Sequence, residues 1–275
     1  MACNRIARGG VALGSVLAVW TAGARADFAV NMTPGVTAIS REVYDLHMLI
    51  FWICVAIGAV VFGVMFWSIY HHRKSRGAVA AQFHESALVE VLWTIVPMLI
   101  LVAMAVPATQ TLIRMADARD ADLTIKVTGY QWRWHYEYLN EGIGFFSTLA
   151  TPQDQIHNTV PKDATYLLEV DRRLVVPVGK KIRILTTAAD VIHSWWVPAL
   201  GWKRDAIPGF INESWTLIEK PGVYRGQCAE LCGQDHGFMP VVVDAVPEAE
   251  FQQWVANMKA KNLPTAQAAN GGQTL

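Results

Sequence analysis

The densest chemistry in the sequence lies in one short run, Cys228-Ala229-Glu230-Leu231-Cys232-Gly233-Gln234-Asp235-His236-Gly237-Phe238-Met239. Two thiols, an imidazole and a thioether make a soft donor set. Two cysteines four apart could instead close a small disulfide ring, which would stabilise little. Zinc takes cysteine and histidine but has no use for methionine, whereas thiolate, thioether and imidazole together suit copper. A mononuclear blue-copper site uses one cysteine, two histidines and a weak axial methionine. Here one cysteine is left over, and a second histidine must come from elsewhere. His193, ahead of Ser194-Trp195-Trp196-Val197-Pro198, is the best-placed candidate. Alone it would read as a structural histidine; beside the cysteine run it reads as a ligand. Two bridging thiolates with one histidine per metal suit a pair of coppers. Such a site needs no open coordination position, so its chemistry is electron transfer rather than bond making.

These donors need a frame, and the preceding residues supply one. Leu123-Thr124-Ile125-Lys126-Val127-Thr128 alternates apolar and polar, and Tyr166–Val170 and Lys181–Thr187 also read as short strands. Pro161, Pro177-Val178-Gly179, Pro208-Gly209 and Pro221-Gly222 punctuate them. The pattern predicts an all-β sandwich or barrel over 116–260. Only Glu248–Lys261 has helical spacing, with Phe251, Trp254, Val255 and Met258 on one face. Residues 261–275 read as a disordered tail.

Upstream, Arg5 and Arg8, the apolar Val11–Trp20 and Ala24-Arg25-Ala26 fit an export signal over 1–26. Met48–Tyr70 and Val91–Ile113 each run 23 residues without a charge, long enough to cross ~30 Å of hydrocarbon. They predict a transmembrane hairpin within 27–115, with helices at about 46–70 and 90–113. The intervening His71-His72-Arg73-Lys74-Ser75-Arg76 places that loop in the cytoplasm. Both termini and the β domain are then outside. Cys3 falls in the signal and Cys54 in the membrane, so neither is expected to pair with the outer cysteines.

Hairpin, Cys-x-Glu-x-Cys-x₃-His-x₂-Met and upstream His193-Ser194-Trp195 together resemble subunit II of the haem-copper cytochrome c oxidases, over about Val43–Pro247. Trp93-Thr94-Ile95-Val96-Pro97, Gly129-Tyr130-Gln131-Trp132, Asp205-Ala206-Ile207-Pro208-Gly209 and Tyr224-Arg225-Gly226-Gln227-Cys228 extend the likeness. The resemblance implies a transmembrane α-helical hairpin followed by a cupredoxin-like Greek-key barrel. It implies a binuclear CuA centre held by His193, Cys228, Cys232, His236, Met239 and the backbone carbonyl of Glu230. The Glu230 side chain would reach a Mg²⁺ or Mn²⁺ ion shared with subunit I. Cytochrome c would be the donor, subunits I and III the partners, and the bacterial inner membrane the site, with the copper domain periplasmic.

Trp132 matches the family's tryptophan through which electrons arrive, and Glu90 the glutamate at the mouth of a proton path. With period two, Trp132, Trp134, Tyr136 and Tyr138 fall on one strand face, which is either core or an interaction surface. Trp132, Trp134, Glu137, Asp190 and Asp205 form the expected cytochrome c docking set. Arg133 and Phe210 depart from the family pattern, where an aromatic and an arginine are frequent. No Cys-x-x-Cys-His follows the barrel, so a fused cytochrome domain is not expected.

The charge distribution fits this assignment. The sequence is 53% hydrophobic and 17% charged, with 23 basic and 23 acidic residues; a nucleic-acid binder would need a basic excess. The balance is uneven. Met1–Ala26 carries three arginines and no acid, while Met115–Leu275 carries 15 basic against 18 acidic residues, an excess that suits a basic partner. The rival reading is a membrane-anchored module that carries or delivers copper, which would want an accessible, exchangeable site. A quinol-oxidase relative would have lost the copper ligands, and a nitrous-oxide reductase would need a catalytic domain that is not seen.

Overall fold

The structure, a computed structural model, describes residues 31–262. The expected export signal over 1–26 and nearly all of the expected 261–275 tail lie outside the described residues.

Two long helices come first. α1 spans Ala38–His71 and α2 spans Ala87–Ala116, both longer than the charge-free cores that predict them. Their 34 and 30 residues rise by about 1.5 Å each, so both exceed a ~30 Å hydrocarbon layer and carry polar turns beyond it. Thr37 caps α1: its hydroxyl accepts from the Ser40 N–H, while the Ser40 hydroxyl accepts from the Thr37 N–H. Pro97 and Pro107 sit inside α2. Most apolar side chains of both helices are exposed, as suits a lipid solvent rather than a protein core.

A two-sheet sandwich follows. The first sheet is built from β1 (Leu123–Tyr130), β2 (Arg133–Tyr138), β3 (Ile143–Ser147), β5 (Ile182–Ala188) and β8 (Asn212–Thr216), in the order β3-β2-β1-β5-β8. The second is built from β4 (Leu174–Pro177), β6 (His193–Val197), β7 (Trp202–Ala206), β9 (Gly222–Cys228) and β10 (Pro240–Val246), in the order β4-β10-β9-β6-β7. Pairings are antiparallel except β1 with β5 and β4 with β10, so the chain repeatedly crosses between sheets. Period-two burial fixes the faces: Leu123, Ile125 and Val127 of β1 meet Ile182 and Ile184 of β5 in one core with Trp195, Val197 and Val241 from the other sheet. Between β3 and β4 lies the single turn α3 (Gln153–Ile156), and α4 (Glu248–Asn262) closes the domain with Phe251 and Val255 buried.

Two strand expectations need correction. Tyr166–Val170 is turn rather than strand, with Leu167 at φ +58° and only Val170 forming an isolated bridge to Leu149; Lys162 stacking over Tyr166 leaves that aromatic serving a loop. The supposed single aromatic face also divides. Trp134, Tyr136 and Tyr138 are core, whereas Trp132 precedes β2 in the β1–β2 turn and is half-buried.

Hairpin and sandwich are joined as one compact unit from Pro34 onward. The Val36 N–H donates to the Ala199 carbonyl at 2.9 Å, and the Thr37 hydroxyl to the Leu200 carbonyl at 3.1 Å. The Trp215 indole donates to the Arg114 carbonyl at 3.0 Å, and Arg114 pairs with Glu42 at 2.8 Å. Gly201 is required at this joint: it adopts φ +84°, and a Cβ there would lie 2.4 Å from Ser40 Cα.

Candidate metal centre

The site forms where three connections meet at one end of the sandwich. β6 begins with His193, whose register partner is Ala206 of β7, and pairs on its other side with β9, setting Trp195 opposite Cys228. Close approach of those strands depends on Gly226, where a Cβ would fall 1.8 Å from the Trp196 carbonyl oxygen. Cys228 closes β9, and the loop from Ala229 to Met239 carries the remaining donors before β10. The loop is tied at both ends, Ala229 N–H to the Ser194 carbonyl at 2.9 Å and Cys228 N–H to the Met239 carbonyl at 3.3 Å.

The donors converge. The two sulfurs are 3.9 Å apart and unbridged. His193 Nδ1 lies 3.9 Å from the Cys228 sulfur, and His236 Nδ1 lies 3.4 Å from the Cys232 sulfur. Met239 Sδ is 3.6 Å from the Cys232 sulfur, and the Glu230 carbonyl is 3.4 Å from the Cys228 sulfur. His193, Cys228, Cys232 and Met239 are buried, and His236 is half-buried. The ligand atoms of His193, Cys228 and Cys232 all lie within 4.8 Å of one another. Metal–thiolate bonds are about 2.3 Å long, so sulfurs 3.9 Å apart lie within reach of a common ion. Thiolate, thioether and imidazole in a closed pocket fit copper.

Neighbours set the protonation of these donors. A carboxylate only accepts hydrogen bonds, so Asp190, 2.9 Å from His193 Nε2, fixes the proton there and leaves Nδ1 with a lone pair facing the sulfurs. Burial alone would lower the His193 pKa, but Cys228 and Asp190 outweigh it and raise the value. Burial would raise Asp190; donation from His193 and from the Gln131 and Val191 N–H groups brings it below the usual range. Burial likewise pushes Cys228 up, yet its contacts with His193 and surrounding polar groups draw it below an ordinary thiol. Cys232 is pushed up to about 12, first by burial and then by neighbouring Cys228.

Of the other candidate residues, two tryptophans touch the donor loop and the rest stand off it. The half-buried Trp132 donates its indole N–H to the Cys232 carbonyl at 3.2 Å. Trp134 does not belong in a docking set: it is fully buried and donates to the Met239 carbonyl at 3.3 Å, so no partner can touch it. Glu137 is held by Lys126 at 2.8 Å, and Asp205 is half-buried on β7. Arg133 lies over the Phe146 ring, 4.3 Å from its centroid, and Phe210 is exposed. Glu230 lies within the donor loop itself, with its side chain exposed. Glu90 stands in the first turn of α2, distant in sequence from all of these, where its carboxylate accepts from the Ser86 N–H at 3.3 Å. Sequence reasoning missed two supports. Gly129 lets β1 pass beneath His193, since a Cβ would come 2.7 Å from the imidazole. Gln131, quoted only as part of a motif, donates its side-chain N–H to the Cys232 carbonyl at 2.9 Å. The Asp190-x-x-His193 spacing and a glycine just before an aromatic strand were the available signals.

Fold and site together define a membrane-anchored β-sandwich that presents a buried cluster of soft donor side chains. The sequence profile described as "Cytochrome C oxidase subunit II, periplasmic domain" matches residues 123–246, and that described as "Cytochrome C oxidase subunit II, transmembrane domain" matches residues 26–111. The chain is 41% identical over 242 residues to the probable cytochrome c oxidase subunit 2 of Rickettsia bellii, covering 88% of this chain and 87% of that protein. It is 39% identical over 227 residues to the mitochondrial cytochrome c oxidase subunit 2 of Glycine max, covering 80% of this chain and 57% of that protein. Among solved structures, the periplasmic domain of subunit II of cytochrome oxidase (CoxB) of Bradyrhizobium japonicum is similar, with 47% identity, TM-score 0.47, and coverage of 52% of this chain and 98% of that chain. The chain belongs to the cytochrome c oxidase subunit II family, whose members are components of an oxidase enzyme complex.

Proposed function

We propose that this chain is the electron-accepting subunit of a respiratory oxidase. Cytochrome c delivers electrons at the outer domain, and they pass to a haem-copper subunit I that reduces oxygen to water. His193, Cys228, Cys232, His236, Met239 and the Glu230 carbonyl would hold a binuclear copper centre of the CuA type. The observation that carries this reading is the pair of buried, unbridged thiols 3.9 Å apart with an imidazole beside each. Copper held there would supply one-electron acceptance and release. The chain's residues do the rest: the sandwich fixes the donors, burial excludes water, and Asp190 holds the His193 proton away from the sulfurs.

Trp132 is the place where electrons arrive, because its ring is half-buried and its N–H rests on the carbonyl of ligand Cys232. Glu137 and Asp205, with the acidic excess of the outer domain, attract a basic cytochrome c. The exposed Glu230 carboxylate suits a Mg²⁺ or Mn²⁺ ion at the border with subunit I. Glu90, at the opposite end of α2 from the sandwich, suits a proton-collecting role. The basic loop 71–76 supports a topology with that end in the cytoplasm of a bacterial inner membrane and the copper domain in the periplasm, with subunit III as a further partner. Burial of the ligands weighs against a copper carrier, which needs an exchangeable site.

Metal analysis and EPR of the purified protein test the proposal. Two coppers per chain with a mixed-valence signal shared by two equivalent ions are expected; a single exchangeable Cu(I) would overturn it.

A further inference from the structure

The β1–β2 turn does more than present Trp132. Asp190 Oδ1 lies 2.9 Å from His193 Nε2 and accepts from the Val191 N–H at 2.7 Å, while its Oδ2 accepts from the Gln131 N–H at 2.7 Å. The same Gln131 donates through its side chain to the Cys232 carbonyl at 2.9 Å, beside the Trp132 indole at 3.2 Å. Gly233 makes room for that amide: it adopts φ +115°, and a Cβ there would lie 3.1 Å from Gln131 Nε2. A continuous hydrogen-bonded strap, His193–Asp190–Gln131–Cys232, therefore runs from one candidate ligand to another. Of its middle residues, Gln131 belongs to the β1–β2 turn of the first sheet and Asp190 to the β5–β6 connection between sheets, while its ends belong to the second sheet and its donor loop.

We infer that Gln131 and Asp190 are positioning residues for the copper centre, with Asp190 acting on His193 rather than on a docking partner. The inference rests on the copper reading above. The Asp190 carboxylate is still exposed, but three of its roughly four acceptor positions already face donors of the site itself. Toward His193 the carboxylate fixes the tautomer and raises the basicity of Nδ1, as an outer partner of a ligating histidine does. Toward Cys232, two N–H donors on one carbonyl hold the peptide plane and with it the direction of the thiol. Because Gln131 contributes a backbone donor to one side and a side-chain donor to the other, the geometries of His193 and Cys232 are set jointly.

The test uses the assembled oxidase, with copper retention against a Cu(I) chelator, the reduction potential of the centre, and cytochrome c kinetics read on each variant. Asp190→Asn is expected to weaken copper retention roughly ten- to hundredfold, with a smaller change in KM for cytochrome c. Gln131→Glu has nearly the same shape and keeps the backbone N–H, but turns the side-chain donor into an acceptor. It should shift the one-electron equilibrium about threefold, or about 28 mV at 59 mV per tenfold, and it carries the test where Asp190→Asn does not assemble. The double variant should fall short of the sum of the two, since both act through one strap. Glu141→Gln, at a surface acid paired with Lys259, should change neither retention nor potential. Wild-type copper retention and potential in Asp190→Asn, together with a raised KM and lost salt dependence, would make Asp190 a docking acid and overturn the inference. Fully additive effects would break the strap as well. Failure of the copper reading itself would be visible in the unsubstituted oxidase as an absence of copper, and would take the strap with it.

Discussion

The ligand end of the sandwich and the helical hairpin follow opposite rules. At the ligand end the donors are drawn inward and fixed by named partners: Asp190 on His193, Trp132 and Gln131 on the Cys232 carbonyl, Trp134 on the Met239 carbonyl. Along the hairpin the large apolar side chains point outward, and an ion pair, Arg114 with Glu42, ties one helix to the other. The difference is one of solvent. Facing water, an outer domain must bury its apolar groups and satisfy whatever polar groups go in with them. Facing lipid, a helix satisfies its own backbone and can expose hydrocarbon freely. Function is therefore read at the ligand end from which groups are held, and along the hairpin from the few groups that are polar at all.

Substitutions can break this contrast or sharpen it. The largest effect should come from Cys228→Ser, which removes a thiolate from the middle of the donor set. Loss of the binuclear near-infrared absorption is expected, and an unchanged spectrum would remove Cys228 from the ligands. Next, Trp134→Ala should destabilise the outer domain by about 3–5 kcal/mol, as for a fully buried indole, and disturb copper by freeing the Met239 carbonyl. Thermal unfolding together with copper content reads both. Two residues away, Trp132→Phe removes one of the two donors on the Cys232 carbonyl, leaving Gln131 in place, so it should cost about 1 kcal/mol of stability with copper still bound. It should slow reduction by cytochrome c about tenfold, equivalent to about 1.4 kcal/mol of barrier. Copper loss in that variant would erase the distinction between the fully buried Trp134 and the half-buried Trp132. The smallest effect on the copper site should come from the hairpin. Glu90→Gln should lower steady-state oxygen turnover with the rate of electron acceptance unchanged, and wild-type turnover would take Glu90 out of any proton path.

Much of this was legible before folding, and unevenly so. The spans were legible because lipid imposes a minimum length of uncharged residues, although the helices run past those cores into polar turns that hydropathy does not mark. The Cys228–Met239 run was legible because its donors are close in sequence and chemically unusual. Strand β1 announced itself by alternation. Tyr166–Val170 misled, since an apolar run in a loop looks like a strand until its backbone is seen to turn at Leu167. The face holding Trp132 and Trp134 was ambiguous for a related reason: period two says which residues share a side but not where the strand begins.

The amino-acid order alone determined the donor types, the membrane spans and the β character of the outer domain, since each depends on local composition and spacing. Only the tertiary structure decided how His193, 35 residues ahead of Cys228, comes within 3.9 Å of its sulfur. It also decided that Asp190 hydrogen-bonds His193, that Gln131 bridges to Cys232, and that Trp134 is fully interior while Trp132 is half-buried in the β1–β2 turn. Those outcomes depend on strand pairing between sheets, on the glycines at 129, 226 and 233 that permit close approach, and on which side of each strand the core claims. Such contacts join residues far apart in sequence, and no local pattern encodes them.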